Sequence, residues 1–321
     1  MFNFINNNWQ VSINLLIISS IFLSSLSIYF FQKVFLKKNI IDKINDRSSH
    51  KVVATRSGGI AIFSSLFIIS TFNYFNSNEI FDFSLIIPLS ILLMVGLYDD
   101  IYKLDFKLKF IFQIIAAKII IDNGLIIDNL HGLLGIFELN RIIAQLITIF
   151  FIVAIINSIN FIDGVDGLAI SVVSLFMISF EFFSISNTNL NYLTLIIIFS
   201  ILPLFYFNYK KKNKVFLGDS GSLFLGALVS IYVLKILSQD YLIKYEYDIH
   251  KIIFVISILF YPIVDIIRIV ILRIKEKKSP FEADKNHIHH LILRGVKSHF
   301  TTTLVIAISS ILFMISMQLI F

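Results

Sequence analysis

Cysteine is absent from the 321-residue chain, which excludes disulfides, thiolate metal centres and a cysteine nucleophile while leaving the compartment open. Proline is scarce, at four residues, and no Pro-, Gly- or Ser-rich linker divides the chain, so one domain spanning 1–321 is expected. Charge is thin: Asp, Glu, Lys and Arg supply 15% of residues, against about a quarter in an ordinary soluble domain. Residues 1–10 contain neither Lys nor Arg, so the first apolar run lacks a basic leader and reads as a retained helix, not a cleaved signal. No nucleic-acid-binding module is recognisable, and a net charge of +6 on so apolar a chain points first to membrane topology. An inverted repeat is also missing, which disfavours a secondary transporter.

What the chain does have is apolar surface, 57% of its residues. Runs close to the roughly 17–25 residues needed to span hydrocarbon fall at 11–31, 58–75, 84–99, 108–122, 141–159, 166–185, 191–208, 220–237, 251–272 and 301–320. The expectation is an all-α, polytopic membrane bundle of about ten helices. The stretch 123–140 reads equally as a surface hairpin or an interfacial helix. Basic residues are divided unevenly between the two sides. The segments 32–57, 100–109, 209–218 and 273–300 hold most of them, whereas Arg141, Lys244 and Lys251 stand nearly alone opposite. Positive residues mark the cytoplasmic side, so both termini are expected outside.

Five polar stretches interrupt this pattern, and all fall on the basic face. Asn45 to Gly59 contains Arg47, His50 and Arg56 before Gly58-Gly59 at a helix start, a combination suited to an anion or to lipid headgroups. Asp99-Asp100 closes a helix, where acids oppose the helix dipole and need a partner; Lys103, Lys107 and Lys109 follow. Asn157, Asn160, Asp163 and Asp166 lie in a stretch with two Asp-Gly pairs, which reads as a turn or as a site. Asp219, between glycines at a helix start, suits either an N-cap or an oxygen-ligated ion such as Mg²⁺. His287, His289 and His290 fit imidazolium donors to phosphate better than a zinc site. Asp265 and Arg268, three apart on one helix, could neutralise each other or serve the site. Acids ringed by Lys, Arg and His suit a metal-bridged diphosphate. A cation-coupled transporter would instead carry its acids mid-helix.

These stretches, from Arg47-Ser48-Ser49-His50 through Gly96–Asp100, Asn157–Gly167, Phe216–Ser222 and Tyr261–Asp265 to Ser279–Leu291, resemble the polyprenyl-phosphate N-acetylhexosamine-1-phosphate transferases (glycosyltransferase family 4). That superfamily includes the phospho-N-acetylmuramoyl-pentapeptide transferase. The resemblance implies transfer of a sugar 1-phosphate from a UDP-sugar to a polyprenyl phosphate in the bacterial cytoplasmic membrane, with UMP released, as the first membrane step of an envelope polysaccharide. UDP-N-acetylglucosamine is the expected donor; fucosamine-type, quinovosamine-type and muramoyl-pentapeptide donors are the alternatives. It further implies Mg²⁺ (or Mn²⁺) on Asp219 and Asp163, catalytic roles for Asp99, Asp100, Asp163, His287, His289 and His290, and substrate contacts from Arg47, His50, Arg56, Lys109, Asn157, Asn160 and Asp166. A homodimer is compatible with it. Val53-Ala54-Thr55 stands where the family usually carries prolines, a departure that bears on sugar identity.

Overall fold

The computed structural model describes residues 12–42, 52–78, 80–185, 190–237, 241, 243, 249–277, 279 and 286–321. Among these the order is α1 (Ile13–Lys37), β1 (Ala54–Thr55), α2 (Gly58–Phe75), α3 (Ile86–Tyr102), α4 (Phe106–Asp122), α5 (Arg141–Ile162), α6 (Leu168–Phe183) and α7 (Asn191–Asn208). There follow β2 (Lys214–Val215), α8 (Gly218–Ile236), α9 (His250–Ile258), α10 (Phe260–Lys275), α11 (Ile288–Val296) and α12 (His299–Ile320). Each expected apolar run falls on a helix. Among the described residues, seven helices are long and apolar enough to cross a membrane, or eight if α9 and α10 form one bent span.

The run 251–272 is where the helical reading needs correcting. α9 and α10 meet at 73° across Leu259, whose φ of −96° and ψ of 17° are not helical. Pro262 explains the break: it has no N–H to give the Ile258 carbonyl, and its ring would clash there. The stretch 123–140 resolves as a hairpin, with Asn129 bridged antiparallel to Glu138.

α8 is the centre of the bundle, packed by α3, α5 and α2. Its membrane-length window is 89% buried, against 22% for α1 and for α12 at the periphery. A helix that is apolar all round is stable when every face meets protein. The close approach needs glycine at two crossings. A Cβ on Gly96 of α3 would lie 2.3 Å from the Asp219 carbonyl oxygen, and one on Gly59 of α2 would lie 2.1 Å from the Gly221 nitrogen.

A two-stranded parallel clip fixes the loops before α2 and α8, pairing Ala54 with Lys214 and Thr55 with Val215. The Gly58 and Gly59 N–H groups then donate to the carbonyls of Phe216 and Leu217, each at 2.9 Å. These glycines were expected to let a ligand approach the start of α2. Their donors are instead spent on main chain, and their missing side chains make room for α8 and the loop before it.

Candidate active site

Helix ends gather the polar motifs at one pole. Lys109, in the first turn of α4, places its ammonium 2.7 Å from Asp99 Oδ2 and 2.5 Å from Asp219 Oδ2. Asp99 Oδ1 also accepts the Leu104 N–H at 2.6 Å, tying the α3–α4 turn to the same carboxylate. Asp100 points elsewhere. Its carboxylate oxygens accept the N–H groups of Asp219 and Ser220, each at 3.0 Å, and its side chain is fully buried. Arg56 bridges Asp42 at 2.8 Å and Asp100 at 3.4 Å. Both carboxylates hold the guanidinium's proton, raising its pKa against the cost of burial.

Asp163 sits just past α5 at the same pole. Burial first, then the negative charges of Asp219 and Asp100, pushes its carboxyl well above the ordinary range. Lys109 joins Asp99 to Asp219, and Asp163 feels the charge of Asp219 and Asp100, so these acids gather at one pole. Their donor set is all oxygen, and Asp163 can ionise there once a cation offsets the neighbouring charge. That fits a hard divalent ion such as Mg²⁺.

The neighbouring polar residues are more engaged than expected. Asn157 and Gln113 exchange side-chain amide hydrogen bonds, at 2.7 Å and 3.4 Å, and Asn157 also donates to the Val153 carbonyl. Asn160 donates to Ser222 Oγ at 2.8 Å. Asp166 is buried in an ion pair with Lys214; its carbonyl accepts from Tyr209 at 2.7 Å and Thr303 at 3.0 Å. These contacts tie the side chain of Asn157 and both the side chain and main chain of Asp166 to neighbouring helices and loops.

The histidines lie against the Asp163–Gly164 turn. A Cβ on Gly164 would come within 3.0 Å of His289 Nε2 and 3.2 Å of His290 Nε2, so glycine leaves room for both rings. Asp265 and Tyr261, one turn apart on α10, hold the first two. His287 Nδ1 meets Asp265 Oδ2 at 2.6 Å, and the Tyr261 hydroxyl meets His289 Nδ1 at 2.8 Å. Asp265 also caps α11 through the Ile288 N–H at 2.7 Å, while Arg268 donates to the Asn286 carbonyl. The expected Asp265–Arg268 neutralisation is thus replaced by an Asp265–His287 pair. Burial, then the charge of His290, lowers His289 to about 3. It is a neutral imidazole at pH 7, not the imidazolium expected from the sequence.

Arg47 and His50 lie outside the described residues. Sequence reasoning missed Lys214, Tyr209, His299 and Thr303, single polar residues with no spacing pattern, and gave Tyr261 no role.

Residues 82–237 match the sequence pattern of "Glycosyl transferase family 4". A Bacillus subtilis (strain 168) protein named "Probable undecaprenyl-phosphate N-acetylglucosaminyl 1-phosphate transferase" is 32% identical over 291 residues, covering 89% of this chain and 78% of that protein. The chain belongs to glycosyl transferase family 4. Two further relatives are named undecaprenyl-phosphate alpha-N-acetylglucosaminyl 1-phosphate transferase. That of Pasteurella multocida (strain Pm70) is 30% identical over 280 residues (84% of this chain, 76% of the relative), and that of Escherichia coli (strain K12) is 29% identical over 298 (88% and 78%). The resemblance carried by the polar stretches is borne out. The chain is an enzyme of a glycosyl phosphotransferase family and, with its apolar helices, a multi-pass membrane protein.

Proposed function

We propose that this protein transfers N-acetylglucosamine 1-phosphate from UDP-N-acetylglucosamine to undecaprenyl phosphate at the cytoplasmic face of the bacterial cytoplasmic membrane. The observation that carries the reading is that Lys109 joins Asp99 to Asp219, with Asp163 within reach of the Asp219 charge, at the basic pole of a chain whose relatives bear the names above. In the reaction, an oxygen of the lipid phosphate attacks the sugar-bearing phosphorus. A new P–O bond forms, the bond to the UMP oxygen breaks, and UMP leaves with that electron pair.

The lipid phosphate is already a competent nucleophile, so no covalent enzyme intermediate is required. Asp219 and Asp163 would hold Mg²⁺, which when bound offsets phosphate charge and orients the diphosphate. Lys109 supplies a fixed positive charge beside the transferring group. Asp99, hydrogen-bonded to Lys109 and the α4 turn, keeps that ammonium aimed at the cleft. His289 and His290, packed against the Asp163–Gly164 turn, would contact the diphosphate or the sugar.

The test uses the full chain in detergent with UDP-N-acetylglucosamine, undecaprenyl phosphate and Mg²⁺, with released UMP as readout. We expect UMP only when lipid and divalent ion are both present, and none from a membrane-inserted Asp219→Asn variant. Absence of UMP with every UDP-N-acetylhexosamine tried would defeat the proposal. Activity with another UDP-sugar alone would move the donor assignment.

A further inference from the structure

The two adjacent aspartates that end α3 are chemically alike in sequence, yet their carboxylates have unlike surroundings. Asp99 meets an ammonium in the cleft. Asp100 faces the opposite way and spends both oxygens on the first turn of α8, at 3.0 Å to the Asp219 N–H and 3.0 Å to the Ser220 N–H. The first turn of a helix has four N–H groups without intrahelical partners. α8 has no side-chain cap of its own, since Leu217 stands at the cap position. Asp100 therefore caps α8 from another helix.

Its surroundings hold it there. Arg56, itself pinned by Asp42, lies 3.4 Å from Asp100 Oδ1. Gly218, at φ +75°, leaves room for the carboxylate: a Cβ there would sit 2.7 Å from Asp100 Oδ2. The residue whose N–H Asp100 captures is Asp219, whose own carboxylate meets Lys109 in the cleft.

We infer that Asp100 is a positioning residue, not a metal ligand or proton acceptor: it fixes the backbone of Asp219 so that the Asp219 carboxylate points into the cleft. The same contact has a second consequence. The start of α8, ordinarily an attractive place for a phosphate, is filled by an internal carboxylate, so the substrate diphosphate is directed to the Lys109 side. This assignment rests on the proposed cation role of Asp219.

The experiment compares Asp100→Asn with Asp100→Ala, because asparagine keeps one acceptor oxygen for the two N–H groups and alanine keeps none. A positioning role predicts a graded loss. Asp100→Asn should lower kcat by roughly 10-fold and Asp100→Ala by roughly 100-fold, within the range seen when groups supporting a ligand are removed. The KM for the UDP-sugar should change little, and the kcat–pH profile should keep its shape. Mn²⁺ titration of the substrate-free protein by electron paramagnetic resonance supplies a readout apart from turnover. Asp100→Asn should weaken Mn²⁺ binding partially, and Asp219→Asn should abolish it.

Equal, complete loss in both Asp100 variants, or loss of the acidic limb of the pH profile in Asp100→Asn, would overturn the inference and make Asp100 a direct participant. Should the Asp100 variants fail to fold, Arg56→Gln carries the test, since it removes the ion pair that holds the Asp100 carboxylate against those N–H groups. A moderate kcat loss with unchanged KM supports positioning, and wild-type kinetics refutes the clamp. Failure of wild-type protein to bind Mn²⁺ or release UMP would instead remove the underlying functional reading.

Discussion

Lys214→Met tests whether the Asp166 side chain belongs to the wall of the site or to the nucleotide. The Asp166 carboxylate is 6% exposed and Lys214 13%, and His299 Nδ1 stands 3.5 Å from the same oxygen. The Asp166 main chain is tied as well: its N–H donates to His299 Nδ1 at 3.0 Å, and its carbonyl accepts from Tyr209 and Thr303. β2, the end of α7 and the start of α12 thus meet on one residue. Breaking a buried pair by removing one partner costs about 3–5 kcal/mol, because the other charge is left unpaired. We therefore expect about 3–5 kcal/mol for Lys214→Met.

Asp166→Asn should cost a similar amount. The double variant should cost less than the sum of the two by about 1–3 kcal/mol, the coupling expected of residues in direct contact. Thermal unfolding in detergent, followed by the intrinsic fluorescence of the 12 tyrosines, suits a chain with no cysteine for thiol dyes. If Lys214→Met changes stability by less than about 0.5 kcal/mol, or if the two substitutions are additive, the latch is wrong. Kinetics provide a second discriminator. A latch predicts that both single variants lower kcat together, through the loosened Asp163 turn. A nucleotide contact predicts a raised KM for the UDP-sugar in Asp166→Asn alone.

Gly59→Ala should prevent accumulation of folded protein, since its Cβ would overlap the Gly221 backbone at 2.1 Å, whereas Gly124→Ala, with open space but φ of +87°, should cost only about 1 kcal/mol; expression and unfolding midpoints separate the two. His289 takes a proton in the unfolded chain near pH 6.5 but in the folded protein only near 3. Its contribution to stability is therefore intact at and above pH 6.5 and is lost as pH falls towards 3, so His289→Phe should flatten that part of the stability–pH curve. A reporter fused after Phe321 should lie outside the cytoplasm, given the basic pole at the other end of α12, and a cytoplasmic reporter would reverse the orientation.

The helices were legible because a membrane-length apolar run can satisfy its backbone only as a helix, and the site's location was legible because the acids sit at helix ends beside the basic loops. Three features were not, each for a physical reason. Asp99 and Asp100 look interchangeable in sequence, but neighbours on a helix of 3.6 residues per turn point about 100° apart. That rotation sends one carboxylate to Lys109 and the other to the start of α8. Gly58-Gly59 matched an anion cradle because a cradle and a tight helix crossing both require a residue without a side chain; only the positions of Phe216, Leu217 and Gly221 distinguish them. Helical spacing offered Arg268 as a partner for Asp265 but could not choose between that pair and a site role, while the partner it has, His287, is 22 residues away. In each case the residue type declared a need, for a counter-charge, a donor or an absent side chain, and the tertiary fold supplied the partner. Residues such as Lys214 and His299, which answer a need declared elsewhere, therefore carry no local mark of their own.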